Sequence, residues 1–193
     1  MKKSLIFVLA ALLCFAPNAK ADDGFRLALG ANLFDLLDLG TMNVDVDMPV
    51  SRHFSLIAGT LINPWQLTRI KPASYSYIIQ DKKFAFYAGA RYWPWFSLSG
   101  FWVECRAQAG SYKSSGLWRT SVDSGHYLGF GASIGYATMI SSNWNFEVGA
   151  GIMGAYSYDY TLYGTYKCEE ILEQGEKWMA MPCNCKLAFY YIF

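Results

Sequence analysis

Alternation of apolar and polar residues, in segments of about ten, restricts the fold of this chain more than any other property. Met42–Met48 alternates methionine and valine with asparagine and aspartate, and Leu128–Tyr136 alternates large apolar residues with glycine and serine. Successive side chains of a β-strand point to opposite faces, so each segment is predicted to be a strand with one apolar face. The predicted strands are Phe25–Asp35, Met42–Met48, Phe54–Ile62, Phe84–Trp93, Phe101–Tyr112, His126–Met139, Trp144–Tyr158 and Cys185–Phe193.

The composition indicates that the apolar faces contact lipid. Aromatic residues make up 18% of the chain and charged residues only 16%, against about 25% charged residues in typical soluble domains. The predicted mature chain has no run of about 20 apolar residues, which excludes a helical membrane protein. In a bilayer, strands must close into a barrel so that no backbone group is left unpaired. We therefore predict an all-β fold, an eight-stranded antiparallel up-and-down transmembrane β-barrel surrounded by outer-membrane lipid.

The first residues predict export. Lys2 and Lys3 precede the apolar stretch Ser4–Ala16, and the small-x-small cleavage pattern Ala19-Lys20-Ala21 follows it. This arrangement is typical of a secretory signal peptide, so we predict a signal at residues 1–21 and a single outer-membrane barrel domain at residues 22–193. Cleavage removes three lysines and leaves thirteen basic residues against fifteen acidic ones. Such a balance does not favour nucleic-acid binding, which requires a strongly basic surface.

The connections between the predicted strands differ in length at the two ends. The short connections are Pro49–His53, Pro94–Gly100 and Ile140–Asn143. The longer connections are Asn63–Lys83, Lys113–Gly125 and Asp159–Pro182. Outer-membrane barrels have short periplasmic turns and longer outer loops, so the short connections are predicted to be periplasmic.

The polar face of the predicted strands carries charges of both signs. An eight-stranded barrel has an interior just wide enough to be filled by side chains, and a charge on the lipid face costs about 2–4 kcal/mol at the midplane. We therefore predict that these charges pair inside a filled interior, with four glycines (129, 131, 149 and 151) leaving space for long Arg and Tyr side chains. The predicted lumen network consists of Arg26, Asp45, Asp47, Arg91, Glu104, Arg106, Glu147 and Lys186.

Aromatic residues cluster at the ends of the predicted strands. Aromatic side chains of membrane barrels form girdles at the two lipid headgroup layers, so these residues are predicted to point outward at the two interfaces. They are Trp93, Trp95, Phe96, Phe101 and Trp144 on the periplasmic side and Tyr112, Tyr156, Tyr158 and Tyr160 on the outer side.

Four cysteines remain after cleavage, and an oxidising periplasm permits disulfides. Cys168 and Cys183 flank the last long connection and form the candidate disulfide, although Cys185 could replace Cys183 because sequence alone does not fix a pairing. Cys105 falls on the predicted lipid face. No His or Cys cluster accompanies Cys183 and Cys185, so no metal and no other cofactor is predicted.

The outer loops are the predicted binding surface, because loops on a rigid scaffold commonly carry binding residues. Trp65, Tyr75 and Tyr77 in the connection Asn63–Lys83 are the candidate binding residues. His126 lies near Asp123 and Ser124, a combination that suggests a hydrolase. A catalytic triad is defined by geometry and not by nearness in sequence, so no catalytic residue is predicted.

Four short motifs resemble one family of exported proteins. The motifs are Asn63-Pro64-Trp65, Ala90-Arg91-Tyr92-Trp93-Pro94, Gly129-x-Gly131-x-Ser133-x-Gly135-Tyr136 and Trp144-Asn145-x-Glu147. Over nearly all of its mature length the chain resembles a family of Bacteroidetes type that is known only as a domain of unknown function. The resemblance implies an outer-membrane-like barrel, often encoded near fimbria-type adhesin genes, and it implies no catalytic residues.

These observations favour a monomeric, non-enzymatic barrel that anchors or assists surface structures such as fimbriae through its outer loops. Two alternatives stay open, a lipid-modifying barrel enzyme and a soluble, lipocalin-like periplasmic barrel. A passive pore is the least expected function, because the interior is predicted to be filled.

Overall fold

The computed structural model describes residues 26–70, 77–115, 121–164 and 171–193, which are mostly β-strand. The strands are β1 (Ala28–Asn32), β2 (Met42–Pro49), β3 (Phe54–Asn63), β4 (Gln66–Ile70), β5 (Tyr77–Tyr92), β6 (Gly100–Ser115), β7 (Val122–Met139), β8 (Trp144–Tyr163) and β9 (Ile171–Ile192). The one short helix in these ranges, α1 (Leu33–Leu37), joins β1 to β2. The predicted signal peptide lies outside the described residues and stays a prediction.

The strands form one antiparallel sheet. β1 pairs with β2 and β9, β3 pairs with β2 and β5, and β5 to β9 pair in sequence order. Eight strands therefore have a strand neighbour on each side, whereas within the described ranges β4 pairs only with β5. The prediction of an all-β chain with eight main antiparallel strands is confirmed, and β4 is an addition to it.

The prediction of long loops at one end is wrong for much of their length. β5 already begins at Tyr77 and β9 at Ile171, and β6 and β7 extend to Ser115 and Val122. From Ile171 to Glu176, β9 is exposed on both faces. A strand without a buried face has no reason to alternate apolar and polar residues, so the sequence pattern misses this extension.

The first predicted strand is also too long. β1 ends at Asn32, and the side-chain oxygen of Asn32 accepts a hydrogen bond of 3.1 Å from the backbone N–H of Phe34. Asparagine in this position stabilises a helix N-terminus by satisfying an otherwise unpaired donor. Residues Leu33 to Asp35 are therefore helical instead of extended.

The two faces of the sheet have the predicted chemistry. Leu128 is 47% exposed and Leu187 37%, whereas Asp45 and Glu147 are fully buried. The apolar side chains thus point outward and the charged ones inward. Three members of the predicted aromatic girdle are exceptions, because Trp93 and Tyr160 are buried and Tyr112 packs inward against Tyr127.

A buried apolar cluster lies at the end that carries the short connections. Trp93, Leu98 and Trp102 pack there with Tyr190 and Ile192. Leu98 belongs to the connection between β5 and β6 and has a φ of 64°, a left-handed conformation that few non-glycine residues adopt. The connection therefore folds inward, and the Leu98 side chain is inserted between the strand ends.

Candidate functional site

The buried face carries an ion-pair network that is centred on Arg91. The Arg91 Nε donates to Glu104 Oε2 at 2.6 Å, and its Nη1 donates to Asp47 Oδ2 at 2.7 Å and to Glu147 Oε2 at 3.1 Å. All four side chains are fully buried. Because removal of one partner leaves an uncompensated buried charge, each of these groups depends on the others.

Asp45 is the centre of a second part of the same network. Its Oδ2 lies 3.0 Å from Lys186 Nζ and accepts a hydrogen bond of 2.6 Å from the Tyr190 hydroxyl. The Tyr87 hydroxyl donates to Oδ1 of the same carboxylate. Tyr87 and Tyr190 share the inward phase of Arg91 and Lys186 in the sequence, so the signal for their role was present, although the predicted network omitted them.

Arg26 does not belong to the network, and this part of the prediction is wrong. Arg26 is exposed and precedes β1, which begins only at Ala28. The alternation assigned Arg26 to the inward side, but a residue beyond the paired strand has no interior to face. The other seven predicted residues are buried together, with four acidic groups against three basic ones.

Glycines on the inner face make room for a tryptophan and a methionine. A methyl group on Gly135 or Gly149 would overlap the Trp102 ring, and one on Gly129 would approach the Met153 sulfur to 2.7 Å. Trp102 lies over Arg91, with 4.6 Å between the Arg91 Cζ and the ring centroid. The expectation that glycines accommodate Arg and Tyr is therefore wrong at Gly129 and Gly149, because Met153 and Trp102 occupy the space.

A cavity of about 520 Å³ lies beside the network, so the interior is not filled as predicted. Asp45, Arg106 and Lys186 of the network contribute to the polar part of its wall. The apolar part comes from α1, β3, β7, β8 and β9, and comprises Phe34, Leu37, Leu61, Tyr127, Met153 and Met181. A cavity of this size lies in the range of about 300–1,000 Å³ that small-molecule sites occupy.

Asn32 connects the elements at the side of this cavity. Its Nδ2 donates to the Cys185 carbonyl at 2.8 Å, and its Oδ1 accepts from the Leu187 N–H at 2.9 Å. Its backbone N–H donates to Asn43 Oδ1 at 2.7 Å. A single buried side chain therefore ends β1, caps α1 and holds β9 beside the helix.

The connection that follows α1 lies against β3 and β5. Asn63 Nδ2 donates to Thr41 Oγ1 at 3.0 Å, and Lys83 pairs with Asp38. Trp65, a predicted binding residue, is 44% exposed and donates from Nε1 to the Gly40 carbonyl at 3.0 Å. Tyr75 lies outside the described residues, and Tyr77 begins β5.

The cysteines of the described ranges are free thiols. Cys105 is exposed on the apolar face, whereas Cys183 is buried and lines the cavity together with Cys185. Cys168, the predicted partner of Cys183, lies outside the described residues. Their disulfide stays a prediction.

His126 has a different partner from the one that the sequence suggested. Its Nδ1 lies 2.6 Å from Asp159 Oδ2 on β8, and its backbone N–H donates to Asp159 Oδ1 at 2.5 Å. Both side chains are about half exposed. The pair joins the ends of β7 and β8.

The described ranges contain neither a helix suited to cross a membrane nor a group of side chains suited to hold a metal ion. None of their helices has the length and apolarity needed to cross a membrane. No group of three or more His, Cys, Asp or Glu side chains within them is arranged to hold a metal ion.

Comparison with family models gives one assignment. The model described as "Protein of unknown function (DUF3575)" matches residues 5–193, which is nearly the whole chain. The chain belongs to the DUF3575 family. Comparison with curated proteins and with solved structures finds no match. The expected resemblance to a family of unknown function is therefore confirmed, and DUF3575 carries no assigned activity that could be transferred to the cavity or to the network.

Proposed function

We propose that this DUF3575 protein is a non-enzymatic β-barrel of the outer membrane, which spans the bilayer with eight strands. One observation carries the proposal: the charged groups of the strands lie on the buried face, while the exposed face between the strand ends is apolar. The exposed apolar band includes Leu56, Phe86, Val103, Leu128, Phe130, Ile134, Val148, Ile152, Leu187 and Phe189.

The distribution of exposed apolar area supports a membrane location over a soluble one. Phe130, Ile134 and Ile152 are each at least 66% exposed, and they lie on adjacent strands. Soluble monomers rarely expose contiguous apolar patches larger than a few hundred Å². In a bilayer the same surface contacts lipid, as the outward apolar band of a membrane barrel does.

Aromatic side chains at the short-connection end also support the proposal. Trp144 contacts Tyr191 with ring centroids 5.3 Å apart, and Trp95 contacts Phe101 at 5.8 Å. These rings are exposed or half-buried at the edge of the apolar band. Aromatic rings prefer the headgroup layer of a membrane, so they define one interface.

The buried groups argue against a conducting role. The cluster of Trp93, Leu98 and Trp102 obstructs the end with the short connections, and the Arg91 network lies next to it. Water and ions would have to displace both layers to pass. The protein therefore serves as an anchor in the membrane, and its cavity and extended strands face the other side.

A charge placed in the apolar band tests the membrane proposal. Ile134→Arg puts a charge on the lipid face at a cost of about 2–4 kcal/mol, whereas Glu173→Arg changes a charge on the exposed extension of β9. We expect wild type and Glu173→Arg in the outer-membrane fraction, with a heat-modifiable gel shift, and reduced insertion of Ile134→Arg. Recovery of the wild-type protein in the soluble periplasm would contradict the proposal.

The extension of β8 and β9 is the surface that we propose to hold surface structures of the fimbrial type. It exposes Trp178 (76%), Tyr158 and Leu172 beyond the apolar band, and aromatic residues are enriched where proteins bind each other. Trp178→Ala is expected to weaken filament attachment, as counted by electron microscopy of cells. Trp95→Ala removes an exposed tryptophan at the opposite end and should leave attachment unchanged. Equal attachment in wild type and Trp178→Ala would contradict this role.

A further inference from the structure

The cavity beside the network contains one charged group without an ionic partner. Six charged side chains line the cavity, and five of them form ion pairs. The sixth, Asp35 on α1, forms no ion pair with any residue in the described ranges. The paired groups are Asp38, Asp45, Lys83, Arg106 and Lys186.

The surroundings of Asp35 hinder its ionisation. Burial raises the pKa of Asp35 to about 6. The Asn32 side chain and Lys83 oppose this shift, whereas the acidic groups Asp45 and Asp38 add to it. Cys185 and Lys186 on β9, against which α1 packs, line the same cavity. An additional cation beside Asp35 would favour the ionised carboxylate.

The remaining wall of the cavity suits an alkyl chain. Met153 and Met181 face each other across β8 and β9, and Leu61 and Tyr127 lie against the same cluster. Methionine side chains are flexible and adapt to irregular apolar ligands. The cavity therefore combines one unpaired carboxylate with a long apolar wall.

The shortness of β1 gives lipid a route to this cavity. β1 pairs with β9 only from Ala28 to Asn32, opposite Ile192 to Ala188. Beyond Asn32 the wall beside β9 is formed by α1, whose Leu36 and Leu37 are 48% and 78% exposed. A single-turn helix with exposed leucines thus separates the cavity from the surroundings at a position where other strands are fully paired.

We propose that the cavity binds a single-chain amphiphile with a protonated amine, whose ammonium group pairs with Asp35 while its alkyl chain packs against Met153 and Met181. The proposal rests on the membrane location proposed above, because a ligand of this class is a lipid and enters past α1. An anionic head group is disfavoured, since the cations that line the cavity are already paired and the network has one more acidic than basic group.

Calorimetric titration of the purified full chain in amphipol, without detergent, tests the site with dodecylamine and dodecanol as probes. Wild type is expected to bind dodecylamine about tenfold more tightly than dodecanol, as one partly buried ion pair allows. Asp35→Asn should abolish this preference, and acidification from pH 7 to pH 5 should reduce it in wild type. Met153→Trp fills the cavity and should weaken both probes, whereas Ile152→Trp, on the outward face of the same strand, should weaken neither.

Two results would overturn the proposal. The first is an unchanged preference for dodecylamine in Asp35→Asn. The second is that Met153→Trp binds each probe as tightly as wild type does. Each variant is first checked for its heat-modifiable gel shift, so that misfolding is recognised separately. A normal gel shift without binding of dodecylamine contradicts only the ligand-site proposal, whereas absence of the gel shift in wild type contradicts the barrel proposal.

Discussion

At the scale of single residues, Asn32 is a side chain whose loss should disturb three elements, namely β1, α1 and β9. Asn32→Ala removes the helix cap and the hydrogen bonds to Cys185 and Leu187. We expect the free energy of unfolding to fall by about 1–3 kcal/mol, because buried backbone groups lose their partners. Urea titration of the protein in lipid vesicles measures this loss.

Asn143→Ala is the matched control for this change. Asn143 is exposed, and its side chain donates one hydrogen bond of 3.0 Å to the Ile192 carbonyl. Its loss should be smaller than that of Asn32→Ala. Equal losses in the two variants would show that Asn32 does not hold β1, α1 and β9 together.

Asp35 predicts a dependence of stability on pH. Its pKa is raised to about 6 by burial, from an ordinary value of 3.8. The folded state therefore binds the proton more tightly than the unfolded chain does, and the contribution of this group to stability falls as the pH rises from about 4 to about 6. The difference in free energy of unfolding between wild type and Asp35→Asn, measured from pH 4 to pH 7, should shift against wild type in this window. A constant difference would contradict the raised pKa of Asp35.

Some of these residues could be predicted from sequence and others could not. Asp45, Arg91 and Glu147 keep a strict two-residue phase within strands, so alternation alone assigned them to the interior. The cap role of Asn32 and the position of Asp35 were missed because the same alternation was extended through a helix turn, where the two-residue period no longer applies. The prediction for Arg26 was wrong for a related reason, because the alternation was continued past the end of strand β1.

At the scale of elements, the packing of β7 and β8 around Trp102 makes a further prediction. A Cβ on Gly135 would overlap the Trp102 ring and the Val148 carbonyl, whereas nothing in the described part of the chain lies within 4 Å of a Cβ on Gly154. Gly135→Ala should therefore destabilise the protein by about 1–3 kcal/mol through overpacking. Gly154→Ala should be neutral or slightly stabilising, because alanine restricts the unfolded chain.

Urea titration of both glycine variants in vesicles provides the comparison. The two substitutions are chemically identical and lie in neighbouring strands, so strand propensity affects them alike. A similar stability for both would mean that Trp102 does not pack over Gly135.

The element boundaries show where sequence reasoning ends. The strand cores of β5 to β8 were predicted within a few residues, because each has one buried and one exposed face. The outer parts of β5 and β9 were predicted as loops, although β9 between Ile171 and Pro182 is paired with β8. Pairing with β8 stabilises this extension. Because alternation of apolar and polar residues depends on burial, it cannot detect such pairing.

At the scale of the whole molecule, the account depends on the inverted arrangement of polarity. Buried ion pairs of the Arg91 network lie inside, and an apolar band faces outward. The cavity behind α1 can take up a lipid from the bilayer only if the protein has this arrangement. A soluble barrel would require the opposite one, with an apolar interior and a charged exterior.

Nitroxide scanning of residues 128–134 on β7 tests this arrangement most directly. Each position is changed in turn to cysteine, in a variant whose own cysteines are serine, and the labelled protein is reconstituted into lipid vesicles. We predict that collisions with oxygen, which concentrates in lipid, peak at 128, 130, 132 and 134 and fall at 129, 131 and 133. High accessibility of 128, 130, 132 and 134 to a water-soluble nickel chelate, with low accessibility to oxygen, would contradict the membrane barrel.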